Sequence, residues 1–81
     1  MFNVQKAYLF GSYANGQYNE HSDIDLAIVL DSLQNSFITQ VELMKISRRF
    51  DARIEPHPFE ESDFDTNPFA KEILNNGIRV V

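Results

Sequence analysis

The stretch that decides the fold of this chain is Gly11-Ser12, ten further residues, and then Asp23-Ile24-Asp25-Leu26-Ala27-Ile28-Val29-Leu30. The apolar run after Asp25 predicts a buried strand, because near-continuous apolar character is typical of a central strand covered on both faces. Since residues i and i+2 of a strand point to the same side, we expect the carboxylates of Asp23 and Asp25 to face one point in space. Two neighbouring negative charges require a compensating cation, and oxygen ligands of this kind suit Mg²⁺.

Length and composition predict a single small domain over residues 1–81. The chain is 43% hydrophobic and has seven phenylalanines, which indicates a packed core, while the absence of cysteine excludes disulfides and thiolate metal sites. No leader pattern and no long apolar run are visible, so we expect a cytoplasmic protein that does not enter membranes. The net charge of −5 argues against direct nucleic-acid binding and favours a basic protein partner or a site built from carboxylates.

Hydrophobic periodicity predicts the element order β-α-β-α-β-α, an α/β (α+β) fold in which a small mixed sheet of three to four strands is packed with helices. The predicted strands cover residues 4–10, 23–30 and 51–59, and the first two predicted helices cover residues 12–15 and 37–50. Residues 60–66 are expected to form an acidic loop, and residues 78–81 to add a short extended segment. Pro56 and Pro58 should end the third strand or place it at a sheet edge, because proline has no ladder N–H.

The last helix has clear sequence signals at both ends. Asn67 is expected to cap it, Pro68 suits the first helical position, and Gly77 suits a left-handed stop. Phe69, Ile73 and Leu74 are expected to face the core, since they recur at helical spacing.

The Gly11-Ser12 corner is a candidate phosphate site. A strand that turns into a helix at a glycine presents free backbone N–H groups, and we expect Ser12 to cap the short helix that follows. Glycine permits close approach of phosphate oxygens, and the serine hydroxyl adds a donor. Phosphoryl transfer with two metal ions generally requires a third carboxylate, for which Asp51 and Glu55 on the third strand are both candidates. His57 lies between two prolines, outside any recognisable ligand spacing, and a surface or packing role is expected for it.

Two segments together carry a family resemblance. Leu9-Phe10-Gly11-Ser12-Tyr13-Ala14-Asn15-Gly16 and Ser22-Asp23-Ile24-Asp25-Leu26-Ala27-Ile28-Val29 resemble the signature of the minimal nucleotidyltransferase domain, which belongs to the DNA polymerase beta-like superfamily. The resemblance implies the polymerase beta-like nucleotidyltransferase fold, nucleotide binding by Gly11 and Ser12, and metal binding by Asp23 and Asp25. It also implies a third carboxylate, for which the strand context favours Asp51, with Glu55 as the second choice.

The same resemblance implies a Mg²⁺-dependent enzyme, with two ions and ATP or another nucleoside triphosphate as substrate. Small stand-alone proteins of this family are commonly antitoxins that transfer AMP to a tyrosine of a ribonuclease toxin of the HEPN family. A binding module that neutralises its partner by contact alone is the alternative, favoured by the small size and by Asn15, where the family usually has arginine. The sequence leaves the oligomeric state open, although an unpaired sheet edge would gain from pairing with another chain in a homo-oligomer or hetero-oligomer.

Overall fold

The fold is a four-stranded mixed sheet with helices packed on it, and the computed structural model describes residues 4–81. In chain order the elements are β1 (Val4–Phe10), α1 (Ser12–Asn15), β2 (Ile24–Leu30), α2 (Ser36–Ser47), β3 (Ile54–Glu60), α3 (Asp63–Thr66), α4 (Pro68–Asn76) and β4 (Ile78–Arg79). The strand order is β3-β2-β1-β4; β2 and β3 are parallel, whereas β1 is antiparallel to both β2 and β4. This confirms the predicted mixed α/β (α+β) sheet and adds α3 to the predicted elements.

Strand β2 lies inside the sheet, between β1 and β3, as its apolar run predicts. Ala27 and Val29 are fully buried on one face, whereas Leu26 and Ile28 on the opposite face are only half-buried. We expected β2 to be buried on both faces of the sheet, but its burial is complete on one face only. The reason is that α2 packs chiefly against β3 and leaves the neighbouring strands partly open.

The main core lies between the sheet and α4. It consists of buried side chains from three strands and from that helix, Tyr8, Ala27, Val29, Phe59, Ala70 and Ile73. Asn67 caps α4 as predicted, because its side chain accepts hydrogen bonds from the backbone N–H groups of Phe69 and Ala70. Ile73 is buried as expected, but Phe69 and Leu74 are each 48% exposed, although Phe69 still contacts the rings of Phe10 and Phe59. The expected left-handed stop is also wrong: Gly77 is extended with φ −78°, because its backbone leads directly into β4.

Strand β3 forms one edge of the sheet and contains both prolines, which confirms the edge position. Gln40 of α2 donates a hydrogen bond to the carbonyl oxygen of Pro56 at 3.2 Å, so this edge carbonyl is satisfied without another strand. The strand begins at Ile54 and not at residue 51, because the backbone N–H of Ile54 donates to the carbonyl of Asp51 and closes a turn.

Two other predicted boundaries are wrong. Helix α2 ends at Ser47 and its apolar positions are spread around it, so that only Leu43 is buried while Phe37 is 74% exposed. The predicted acidic loop contains the end of β3 and the short helix α3, where Asp63 accepts a hydrogen bond from the backbone N–H of Glu60. Within residues 4–81 there is no helix of the length and apolar character needed to cross a bilayer.

Truncation of Ile73 should destabilise the protein, whereas truncation of its neighbour Leu74 should not. Ile73 is 3% exposed and Leu74 is 48% exposed on the same helix. We expect Ile73→Ala to lower the free energy of unfolding by about 2–5 kcal/mol, because it leaves a cavity in the core. Leu74→Ala should change it by about 0.5 kcal/mol or less, as is usual at the surface. Urea denaturation of both variants measures the difference, and equal effects would contradict the assignment of Ile73 to the core.

Candidate functional site

The register between β2 and β3 brings two carboxylates together at one end of the sheet. Asp25 is opposite Glu55 in the parallel pairing, and Phe10 at the end of β1 is opposite Asp25 in the antiparallel pairing. Residues that are opposite one another in neighbouring strands have side chains on the same face. The site therefore lies where β1 ends and where β2 and β3 begin.

A histidine completes this group. Ligand atoms of Asp25, Glu55 and His57 all lie within 4.8 Å of one another, and we call these three residues the Asp25–Glu55–His57 cluster. The Nε2 atom of His57 is 3.5 Å from Oδ1 of Asp25, but the geometry makes no hydrogen bond, and this buried Nε2 has no other partner. The sequence predicted a surface or packing role for His57. The signal that indicates otherwise is its spacing of two from Glu55, which places both residues on one strand face.

Gly11 lies directly against this cluster. Its backbone has φ 74° and ψ −150°, a conformation that only glycine adopts readily. A Cβ atom added at this position would lie 2.5 Å from Oδ2 of Asp25. The absence of a side chain at Gly11 therefore leaves room for the Asp25 carboxylate.

The corner that follows differs in detail from the prediction. Helix α1 is a single turn, and its N-cap is Gly11 and not Ser12, which is the first helical residue. No side chain caps this helix, whereas the backbone N–H groups of Ala14 and Asn15 donate to the carbonyl of Gly11. Ser12 and its hydroxyl still follow directly after Gly11, the glycine that lies against the Asp25 carboxylate.

Asp23 occupies a neighbouring position outside the cluster. It precedes β2 and is exposed, and it lines a cleft of about 220 Å³ together with Glu55, Arg48 and Arg53. The backbone N–H of Ile24 donates to the carbonyl of Arg53 at 2.8 Å and fixes the start of β2 against the turn before β3. Glu55 thus belongs to the cluster and also lines the cleft that contains Asp23.

The other predicted carboxylate, Asp51, is bound to Arg53. Both Asp51 oxygens accept hydrogen bonds from the guanidinium group, at 3.1 and 2.8 Å, and one also accepts from the backbone N–H of Arg53. These hydrogen bonds lower the pKa of the Asp51 carboxyl to about 2. Arg53 also donates to the hydroxyl of Tyr13 at 3.1 Å, which links this turn to α1. Asp51 is not among the residues of the cluster.

A second cavity is lined by Gly11 and by residues of α1 and α4. Its volume is about 330 Å³, and its lining is mostly apolar with a few polar side chains. The lining residues are Phe10, Gly11, Ala14, Asn15, Phe69, Glu72, Ile73, Asn76 and Gly77. Gly11 thus adjoins both the Asp25 carboxylate and a cavity whose lining includes Phe10 and Phe69.

A mixed sheet with acidic residues and a glycine corner at one end is an arrangement suited to nucleotide and metal chemistry. The model of the family described as "Polymerase beta, Nucleotidyltransferase" matches residues 1–81. The chain therefore belongs to the polymerase beta nucleotidyltransferase family, which confirms the resemblance found in the sequence.

Two relatives come from Methanocaldococcus jannaschii. The first is named "Putative protein adenylyltransferase MJ0141"; it is 31% identical over 81 residues, which span 95% of this chain and 79% of the relative. The second is named "Putative protein adenylyltransferase MJ0604" and is 61% identical over 28 residues, or 35% of this chain and 28% of that protein. The chain is thus similar to proteins named as protein adenylyltransferases.

The fold is also similar to a crystal structure of a "putative nucleotidyltransferase" from Sulfolobus solfataricus. The TM-score is 0.64 at 24% identity, over 95% of this chain and 62% of the other chain. At this identity the match shows a shared fold, and this chain spans less than two thirds of the other chain's length.

The donor set of the cluster fits a divalent cation. Asp25 and Glu55 are both half-buried and close together, so an added positive charge would offset their repulsion. The buried Nε2 of His57 also has no hydrogen-bond partner, and a metal ion bound there would be a partner for it. Carboxylate oxygens and imidazole nitrogens are both ordinary metal ligands in proteins.

Substitution of Gly11 should disturb the cluster, whereas substitution of Gly16 should not. Both glycines have positive φ, 74° and 80°, but a Cβ at Gly16 would contact nothing within 4 Å. Gly16→Ala should cost about 1 kcal/mol of stability from backbone strain alone. Gly11→Ala should cost more and should also weaken the binding of divalent metal ions, because its Cβ displaces the Asp25 carboxylate. Urea denaturation and metal titration of both variants test this; unchanged metal binding in a folded Gly11→Ala protein would contradict it.

The Asp51 carboxyl should remain ionised in acid until the pH approaches 2. Its pKa is about 2, compared with an ordinary value of 3.8, because Arg53 donates hydrogen bonds to it. A lowered pKa stabilises the folded state above the ordinary pKa, and this stabilisation is lost as the pH falls from about 4 towards 2. Replacing the guanidinium in Arg53→Gln should raise the Asp51 pKa towards 3.8. Carboxyl NMR titration of both proteins measures the shift, and an unchanged pKa would exclude the Arg53 guanidinium as its cause.

Proposed function

We propose that this protein transfers AMP from ATP to a hydroxyl group of a partner protein. The observation that carries the proposal is the pairing of Asp25 with Glu55 beside Gly11, in a chain of the nucleotidyltransferase family. The names of the two relatives, which describe protein adenylyltransferases, support ATP as the donor and a protein as the acceptor.

In this proposal the Gly11-Ser12 corner binds the phosphates of ATP. Glycine allows phosphate oxygens to approach the backbone, and the Ser12 hydroxyl donates a hydrogen bond. Asp25 and Glu55 would hold Mg²⁺, and Asp23 in the neighbouring cleft would serve a second ion. Bound Mg²⁺ supplies positive charge that offsets the negative charge of the phosphate oxygens during transfer.

The transfer itself exchanges one phosphorus–oxygen bond for another. The acceptor hydroxyl oxygen bonds to the α-phosphorus of ATP, the bond from that phosphorus to the oxygen that bridges to the β-phosphorus breaks, and pyrophosphate leaves. The proton of the hydroxyl passes to a carboxylate of the site, which acts as a general base. Asp25, Glu55 and Asp23 are the groups available for this role.

We assign the third carboxylate to Glu55 in preference to Asp51, which the sequence favoured. Glu55 is opposite Asp25 in the sheet and contributes to the cluster. Both oxygens of Asp51 already accept hydrogen bonds from Arg53. A metal ion would have to compete with that guanidinium, whereas Glu55 has no such cation bound to it in the described residues.

A tyrosine of a HEPN-family toxin is the proposed acceptor, which would make this protein a cytoplasmic antitoxin. The net charge of −5 favours a basic partner over nucleic acid. Large apolar side chains are available for such a contact. Phe37, at the start of α2, is 74% exposed, and Phe50, three residues after the end of α2, is 82% exposed.

The second candidate function is a binding module that neutralises its partner without catalysis. The exposed side chains of Phe37 and Phe50 favour it, because they could bind a partner even if the cluster catalyses no reaction. The intact Asp25–Glu55 pair opposes it, since neighbouring half-buried carboxylates weaken the folded state unless a cation binds them.

Label transfer distinguishes these functions. The protein is incubated with MgCl₂, with ATP labelled at the α-phosphorus, and with the protein encoded by the neighbouring gene. We expect the partner to be labelled at a tyrosine, and Asp25→Asn or Glu55→Gln to lower the rate by at least about 100-fold, because each removes a ligand of an ion worth several kcal/mol.

Asp51→Asn is the matched control for Glu55→Gln. It should retain activity within about fivefold, because an exposed ion pair contributes at most about 1 kcal/mol. The opposite result, with Asp51→Asn inactive and Glu55→Gln active, would return the third carboxylate to Asp51. Absence of label together with full neutralisation of the partner by Asp25→Asn would establish the binding module.

A further inference from the structure

We propose that the ion held by Asp25 and Glu55 takes Nε2 of His57 as its third protein ligand, and that this position therefore selects Mn²⁺ over Mg²⁺. The inference deepens the proposed function, on which it rests only for the presence of a cation between the two carboxylates. It concerns one of the two ion positions and leaves the position near Asp23 to oxygen ligands.

The first argument is the state of the Nε2 atom. It is buried, it has no hydrogen-bond partner, and it lies 3.5 Å from Oδ1 of Asp25. A buried polar atom in a folded protein is nearly always hydrogen-bonded, so one without such a partner points to a water, ion or ligand at that place, and the adjacent carboxylates favour a cation. Glu55 contributes its oxygen within 4.8 Å of the same atoms. One ion between the three residues would satisfy the nitrogen and offset both negative charges.

The second argument is that the backbone holds both β3 ligands in place. Glu55 precedes Pro56 and His57 precedes Pro58, and a residue before proline is restricted to extended conformations. An extended backbone keeps residues two apart on one face, so the alternating prolines keep Glu55 and His57 on the sheet face that also carries Asp25. The prolines are compatible with the strand because β3 is at the sheet edge.

A neighbouring aromatic ring also restricts the orientation of the His57 imidazole. Phe10 packs against it edge-to-face, with ring centroids 5.2 Å apart and planes at 61°. Such aromatic pairs restrict ring orientation. The nitrogen is therefore oriented before any ion arrives, which favours a ligand role over free rotation in solvent.

The third argument concerns the chemistry of the donor set. Mg²⁺ prefers oxygen ligands and water, whereas imidazole nitrogen suits transition-metal ions. Mn²⁺ shares the carboxylate preference of Mg²⁺ but is a first-row transition-metal ion, so the added imidazole nitrogen favours Mn²⁺ over Mg²⁺. An all-carboxylate site would have no such preference built into its ligands.

Pulsed electron paramagnetic resonance of the protein with MnCl₂ alone tests the proposal. We expect the bound Mn²⁺ to show hyperfine coupling to an imidazole nitrogen. The chain has two histidines, so the signal has only two possible sources. His57→Gln should remove the coupling and weaken Mn²⁺ binding by about tenfold or more, since loss of even an indirect partner of a metal ligand costs that much. Mg²⁺ binding, measured by competition, should change less.

His21→Gln is the matched control, because His21 lies in an exposed loop beside Glu20 and outside the cluster. It should leave the coupling unchanged. Incorporation of ¹⁵N-labelled histidine into the wild-type protein should alter the coupling, and this measurement does not depend on whether His57→Gln folds. Failure of the wild-type protein to bind Mn²⁺, or binding without nitrogen coupling, would overturn the proposal.

The outcome is separable from that of the proposed function. Nitrogen coupling that depends on His57, without label transfer to any partner, would support the ligand assignment while the enzymatic function failed. Label transfer with Mn²⁺ bound solely by oxygen would support the function and overturn the role of His57.

Discussion

The parallel pairing of β2 with β3 is the constraint on which the site depends. It places Asp25 opposite Glu55 and keeps His57, two residues further along, on the same face. A shift of this register by one residue would turn Glu55 and His57 to the opposite face of the sheet. The same register places Phe59 in the core, opposite Val29. Core packing at one end of β3 therefore fixes the register, and with it the geometry of the site at the other end.

The site combines features that would be unfavourable without a ligand. Two carboxylates lie close together in partly buried surroundings, a buried nitrogen has no hydrogen-bond partner, and Gly11 has a backbone conformation suited to glycine alone. Each of these lowers the stability of a small domain, which has little stability in reserve. Their coincidence at one end of the sheet indicates that this end of the molecule is adapted to bind something, in agreement with the nucleotidyltransferase family of the chain.

Much of the fold could be predicted from the sequence, because the signals for it are local. The strand after Asp25 is a continuous apolar run, Asn67 and Pro68 mark the start of α4, and Pro56 indicates an edge strand. The site was less predictable, because a parallel register joins residues that are distant in sequence. Nothing local shows that Glu55 and not Asp51 is opposite Asp25, and the hydrogen bonds that hold Asp51 depend on how the turn at Arg53 folds.

The prolines of β3 also limit the ways in which a partner could bind close to the site. Pro56 and Pro58 have no N–H to offer, and the carbonyl of Pro56 is already bound by Gln40, so the β3 edge is a poor template for another strand. The opposite edge, β4, has only two residues. A partner is therefore more readily bound through helix and loop surfaces than by extension of the sheet. That arrangement leaves the strand that carries Glu55 and His57 undisturbed while a partner binds.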